Sequence, residues 1–350
     1  MSEAHVIFER RGAVGLITLN RPKALNALTH GMCLQMKGQL DAWKDDRDLE
    51  YVVVRGSGDR AFCAGGDIRS LYESGKAGTS YALNFYRDEY ILNATIKHYP
   101  KPYMALMHGI VMGGGVGVSV HGFYRVVNKT TTFAMPETGI GLFPDVGGSY
   151  FLPRCPGEIG MYLALTGARL KVDDLLYAGI ATDVEVDYGF DAIIEELADG
   201  SISSGNLMSV VTSDYTHERD HNPPLSKNRE HIDGAFSAGS VEEILDRLDA
   251  DGSEWAAETA KTIRSKSPTA TKLAFRQIRE GKTLDFDDCM RMEFRMVSRV
   301  VAGKDFYEGV RATIIDKDQA PKWQPARLED VSDKDIDAYF APLGDRELKL

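Results

Sequence analysis

Cysteine is scarce and scattered. The 350 residues hold four, Cys33, Cys63, Cys155 and Cys289, and no two form a CxxC pair. A zinc ribbon or dithiol redox motif is therefore not expected. Four isolated cysteines point to reduced thiols in a cytoplasmic compartment. Long apolar runs are also missing. None reaches the ~18 residues of a membrane span. The opening Met1–Glu9 has no basic stretch followed by an apolar one, so neither a signal nor a transit peptide is expected there. The eight histidines show no H-E-x-x-H or related spacing, so no metal site is expected. Positive charge is in deficit, with 41 Lys and Arg against 52 Asp and Glu and a net charge of −11. No basic block breaks that pattern, which argues against a nucleic-acid partner. An anionic small ligand stays open, because a local cluster of basic residues can hold one.

Three nucleotide and nucleophile motifs also fail. Met112–Gly117 is not G-x-G-x-x-G in any register, which disfavours a dinucleotide fold. Gly281-Lys282-Thr283 ends like a phosphate loop, but Arg276 stands where its first glycine is needed. Gly117–His121 and Gly147–Phe151 each lack the last glycine of a nucleophile elbow.

What is present is ordinary globular composition, with 43% hydrophobic and 27% charged residues, enough to bury a core without staples. Short segments rich in Val, Ile, Tyr and Phe predict strands at 6–9, 14–19, 51–55, 103–107 and 123–127. Helical patterns separate them, one opening at Thr29 and a long one over 80–98 ended by Pro100. This alternation predicts an α/β fold. Past Gly157 the pattern turns mostly helical, with a Ser267-Pro268 start signal. Residues 201–230 are polar and contain Pro223-Pro224. The expected organisation is a sheet-based core over 1–200 and a mostly helical region over 201–350, with an irregular insertion near 201–230.

Two glycine-bearing segments each follow a predicted strand and lead into a predicted helix. One is Ala61-Phe62-Cys63-Ala64-Gly65-Gly66-Asp67-Ile68, the other His108 to Gly117. Glycines at such junctions allow close approach to the backbone, and helix N-termini favour negative charge. Two such loops could aim two N–H donors at one oxygen, an oxyanion hole. They read equally as two tight turns. A third segment, Phe133 to Gly148, places Glu137 and Asp145 among Met135, Ile140, Leu142, Phe143 and Val146. Burial there would raise a carboxyl pKa into the range of a general base or acid. The alternative is a helix cap and a surface turn.

These segments, together with Leu19–Leu28, resemble the crotonase (enoyl-CoA hydratase/isomerase) superfamily. Phe133–Pro153, Asp305–Arg311 and Asp316–Trp323 narrow the resemblance to a hydrolase branch, and the likeness covers nearly the full length. It implies a ββα spiral core with a helical C-terminal part. It implies hydrolysis of a short branched 3-hydroxyacyl-CoA thioester in valine breakdown, with hydratase or isomerase chemistry as the alternative. The N–H groups of Ala64 and Gly114 would hold the thioester carbonyl. Glu137 and Asp145 would be catalytic, and Glu89 would contact the substrate. Lys23, Ala24 and Leu25, with Gly65, Gly66 and Asp67, would line the CoA channel. CoA is then part of the substrate and no cofactor is implied; homo-oligomers are frequent in the superfamily. Hydratases carry a glutamate where Gly117 stands, and a glycine where Asp145 stands. Two-carboxylate hydration is therefore expected to be impaired.

Overall fold

The computed structural model describes residues 4–185, 189–200 and 222–350. Its contacts divide the chain into two interleaved units. The first comprises Met1–Gly66, Ile91–Phe133 and Arg169–Ser226; the second comprises Asp67–Tyr90, Ala134–Ala168 and Lys227–Leu350. A division at residue 200 is thus not the one the packing makes. The chain leaves and re-enters each unit because its sheet is built by successive excursions.

In the first unit, a six-stranded sheet runs in the order β1-β2-β3-β5-β7-β9. The strands are β1 (Val6–Arg11), β2 (Val14–Leu19), β3 (Tyr51–Gly56), β5 (Tyr103–Met107), β7 (Tyr124–Val127) and β9 (Asp183–Val184). β1 pairs antiparallel with β2, and every later pairing is parallel. Every residue of β2 and β5 is buried, which is why they read as largely apolar runs without alternation. β1 is an edge strand and, beyond Val6, its residues are half-buried or exposed. The helix Gly189–Asp199 lays Ile193, Ile194 and Leu197 on Val14, Leu16, Val53, Leu106 and Val126. Each such side chain contributes about 1.5–3 kcal/mol by leaving water.

A second sheet has the order β4-β6-β8, formed by β4 (Ala61–Cys63), β6 (Ile110–Met112) and β8 (Thr132–Ala134). β3 is followed by β4, β5 by β6, and β7 by β8. Each turn of the chain therefore adds one long and one short strand, a ββ step repeated into a spiral. β4 and β6 lie side by side and parallel, so the loops leaving their C-terminal ends are neighbours.

The second unit is largely helical. The helices Val241–Asp251, Glu254–Arg264, Pro268–Gly281 and Phe286–Val300 are capped by Ser240, Ser253, Ser267 and Asp285, each accepting from a backbone N–H. Of the expected insertion at 201–230, residues 201–221 lie outside the described residues. The described remainder is helical from Pro224, against the irregular structure that composition implied there. The helix Asp305–Val310 runs into a π-turn at Arg311–Ile315.

One buried side chain organises the start of the first unit. Asn26 is fully buried, with φ +57°, a conformation asparagine tolerates. Its amide donates to the carbonyls of Ser57 and Ala61, both at 2.9 Å, and its Oδ1 accepts from Arg21 N–H at 2.8 Å. Asn26→Ala would remove the partner of one buried and two half-buried backbone groups. A loss of about 3 kcal/mol is expected from urea denaturation at neutral pH; an unchanged midpoint would contradict this account of the turn.

Candidate active site

In the first unit, the β4–β6 pairing brings two glycine loops together. Gly113 sits at φ +48°, ψ −124° and Gly65 at φ +117°, both closed to side chains. A Cβ on Gly65 would lie 3.9 Å from the Gly114 nitrogen, and one on Gly115 would lie 2.2 Å from the Cys63 carbonyl oxygen. The third glycine of the run is therefore there for packing against β4. The Lys23–Leu25 segment is laced to the same place. Lys23 and Ala24 belong to a 3-10 turn, and Leu25 has φ +52°. The Leu25 carbonyl accepts from Ala64 N–H at 3.0 Å, and Leu28 N–H donates to Gly65 at 2.8 Å.

This bond corrects one expectation. The Ala64 N–H, expected to donate to a substrate oxygen, is already committed to Leu25. Among the described residues, the N–H groups of Gly66 and Gly114 meet no acceptor, and each lies at the entry to a helix. Asp67, expected to line the CoA channel, caps the helix Ile68–Lys76 by accepting from Ser70 N–H at 3.4 Å.

The second unit contains a cluster of buried carboxyls. Glu89 lies on the helix Tyr81–Lys97, Glu137 opens the 3-10 turn Glu137–Ile140, and Asp145 sits in the loop after it. Glu293 comes from the helix Phe286–Val300. All four are at most 5% exposed. Asp145 accepts from the Tyr90 hydroxyl at 2.9 Å. Glu293 accepts from Gly147 N–H at 2.9 Å, from Ser149 N–H at 3.0 Å, and from the Ser149 hydroxyl. Glu89 Oε1, Glu137 Oε2 and the Tyr86 hydroxyl are buried with no partner among the described residues. Buried polar atoms are nearly always hydrogen-bonded, which makes these three candidates for contact with substrate or water.

Burial dominates the electrostatics. It pushes Glu89 and Glu137 well above the usual carboxylate range, and the neighbouring Asp145 adds to both shifts. Asp145 is raised to about 7 by burial, against the pull of the Tyr90 hydrogen bond. Glu293 is raised to about 8, against the pull of its backbone and Ser149 donors. The Lys266 ammonium, itself lowered by burial, works against the shift on Glu137. Carboxyls poised near neutrality are suited to proton transfer.

The structure thus brings Glu89, Glu137 and Asp145 into one unit, and Leu25, Gly65, Gly66 and Gly114 into the other. Reading the residues alone missed Tyr86, Tyr90 and Glu293. The two tyrosines carried a signal: Tyr86, Glu89, Tyr90 and Asn93, at steps of three, one and three, share one helix face.

Residues 14–340 match the model of the enoyl-CoA hydratase/isomerase family. The chain belongs to that family. Its fold is the crotonase α/β spiral with a helical C-terminal part. A Danio rerio relative named 3-hydroxyisobutyryl-CoA hydrolase, mitochondrial, is 49% identical over 99% of this chain and 92% of its own length. The Homo sapiens protein of that name is 48% identical over 99% and 90%. A structure described as a carnitinyl-CoA dehydratase from Mycobacterium thermoresistibile aligns with TM-score 0.87 at 40% identity, covering 99% of both chains. An enoyl-CoA hydratase from Rhodobacter sphaeroides 2.4.1 aligns with TM-score 0.90 at 38% identity, covering 99% of this family member and 100% of that chain. The relatives' mitochondrial names overturn the cytoplasmic expectation. The four cysteines are buried and form no disulfide, which does not say where the chain resides.

The raised carboxyls fix the sign of a pH effect. An unfolded carboxyl titrates near about 4, whereas Asp145 titrates at about 7 when folded. The folded chain binds more protons between those values, so this contribution to stability is complete below pH ~4 and is lost as pH rises through ~7. Urea midpoints should fall between pH 5 and pH 8, and Asp145→Asn should remove about 2–4 kcal/mol of that dependence. An equally steep fall in the variant would contradict the assignment.

Proposed function

We propose that the chain hydrolyses the thioester of 3-hydroxyisobutyryl-CoA, releasing 3-hydroxyisobutyrate and CoA, a step of valine breakdown. The buried Glu137–Asp145 pair carries this reading, with one Glu137 oxygen unpartnered and both carboxyls raised. The names of relatives at 48–49% identity support it.

Gly66 and Gly114 N–H receive the carbonyl oxygen as negative charge builds on it; losing one such donor typically costs about 3–4 kcal/mol. Glu137 takes a proton from water, whose oxygen adds to the carbonyl carbon. Alternatively, Glu137 adds first to form an anhydride that water then opens. In either route the C–S bond breaks and the thiolate of CoA leaves. Asp145 accepts from the substrate's 3-hydroxyl. Burial and its acidic neighbours favour the neutral form of Glu89, the form that can donate a hydrogen bond. CoA enters as part of the substrate, along Lys23–Leu25 and Gly65.

A second reading, addition or removal of water, is favoured by the names of the two solved relatives. Against it stands Gly117, which has no side chain to carry a proton at the position where hydratases place their other glutamate.

Glu137→Gln keeps the shape and removes the base. Thiol release should fall by about 10²-fold or more, with KM little changed; near-wild-type turnover would contradict the role given to Glu137. Asp145 generates a separate expectation. A buried carboxylate left without its hydroxyl partner is costly. Wild-type kcat/KM should therefore favour 3-hydroxyisobutyryl-CoA over isobutyryl-CoA by on the order of 10²-fold. Asp145→Ala should shrink that gap; a gap of the same size in the variant would remove Asp145 as the hydroxyl reader.

A further inference from the structure

We propose that Glu293 is a positioning residue that holds Asp145 in place through the Gly147–Ser149 backbone. This rests on the role given above to Asp145 as reader of the substrate hydroxyl.

The Asp145 loop does not adopt its shape unaided. Val146, directly after Asp145, has φ +51°, and Gly147 has φ +88°. A β-branched residue in the left-handed region is a strained one, and such strain persists only where the surroundings over-determine it. Glu293 supplies that restraint. One carboxyl oxygen takes Gly147 N–H; the other takes both Ser149 N–H and the Ser149 hydroxyl. On the other side of the aspartate, Gln277 donates to the Pro144 carbonyl at 2.5 Å. The adjacent Phe294 packs edge-on against Tyr90, ring centroids 6.4 Å apart, and Tyr90 is the hydrogen-bond donor to Asp145. Two consecutive residues of one helix thus hold both the backbone and the partner of Asp145.

Glu293 is fully buried, and among the described residues its carboxyl hydrogen bonds all go to Gly147 and Ser149. A proton on its Oε1 would be met by the Ser149 oxygen, so the restraint survives protonation. A glutamine at 293 cannot reproduce it. Its carbonyl end accepts, but its amino end would face a backbone N–H, so one bond is lost whichever way the amide turns.

The test compares kcat/KM for 3-hydroxyisobutyryl-CoA and isobutyryl-CoA in wild type, Glu293→Gln, Ser149→Ala, Asp145→Ala, and the Asp145→Ala/Glu293→Gln pair. Glu293→Gln should lower the ratio of the two by about tenfold or more, and Ser149→Ala by about threefold. In the Asp145→Ala background, Glu293→Gln should leave the ratio within about twofold, because a residue acting through another is silent once that other is gone. Equal losses on both thioesters, or a ratio that still falls in the Asp145→Ala background, would overturn the proposal. Ser149→Ala removes a single hydroxyl. Should Glu293→Gln fail to fold, an unchanged ratio in Ser149→Ala would overturn it alone. A wild type without preference between the thioesters would refute the role of Asp145 itself, and this inference with it.

Discussion

Burial of the Glu89, Glu137, Asp145 and Glu293 carboxyl groups in one unit, with the partly desolvated Lys266 acting on Glu137, is the constraint around which the chemistry is arranged. Charged groups leave water at high cost unless something takes the charge. Here burial raises every one of them: Asp145 and Glu293 to about 7 and about 8, and Glu89 and Glu137 well above their ordinary range, with the Lys266 ammonium favouring the ionised form of Glu137 that acts as base. Hydrogen bonding offsets that cost unevenly. Among the described residues Glu293 accepts from Gly147 and twice from Ser149, and Asp145 accepts from the Tyr90 hydroxyl, whereas Glu89 and Glu137 each have an oxygen with no partner. That gradient, from satisfied to unsatisfied, separates a carboxyl that supports the fold from those that await water and substrate.

The first unit solves a different problem, that of aiming backbone N–H groups. Two short strands in parallel register place two loops side by side, and glycine conformations open to no other residue turn each loop into a helix. The bond from Ala64 to Leu25 then decides which N–H groups stay available. Asn26 fixes that turn through the carbonyls of Ser57 and Ala61, so a buried amide that need not touch the reacting atoms helps set where the donors point.

Much of this was legible before any coordinates. β1, β2, β3, β5 and β7 are four to six residues long and rich in apolar or β-branched side chains, and their pattern is local. β4, β6, β8 and β9 have two or three residues, too few for periodicity to register. Glu137 and Asp145 stood out as charge among apolar neighbours. Resemblance, rather than spacing, gave them roles. Ala64 was misjudged because the acceptor that occupies its N–H lies in a separate turn, which no local pattern connects to it. Glu293 was invisible for the same reason: it meets Ser149 across 144 positions of sequence. Contacts made by tertiary packing alone leave no trace in a local window.

The relatives divide over what this scaffold does, since those named hydrolase and those named hydratase or dehydratase both align along nearly its full length. One assay separates the two chemistries. The protein is incubated with 3-hydroxyisobutyryl-CoA while free thiol and the absorbance of a conjugated enoyl thioester are followed together. Hydrolysis predicts thiol appearing in equal amount to 3-hydroxyisobutyrate, with no conjugated thioester formed. Conjugated thioester accumulating without thiol would show water being removed rather than added to the carbonyl, and would contradict the account.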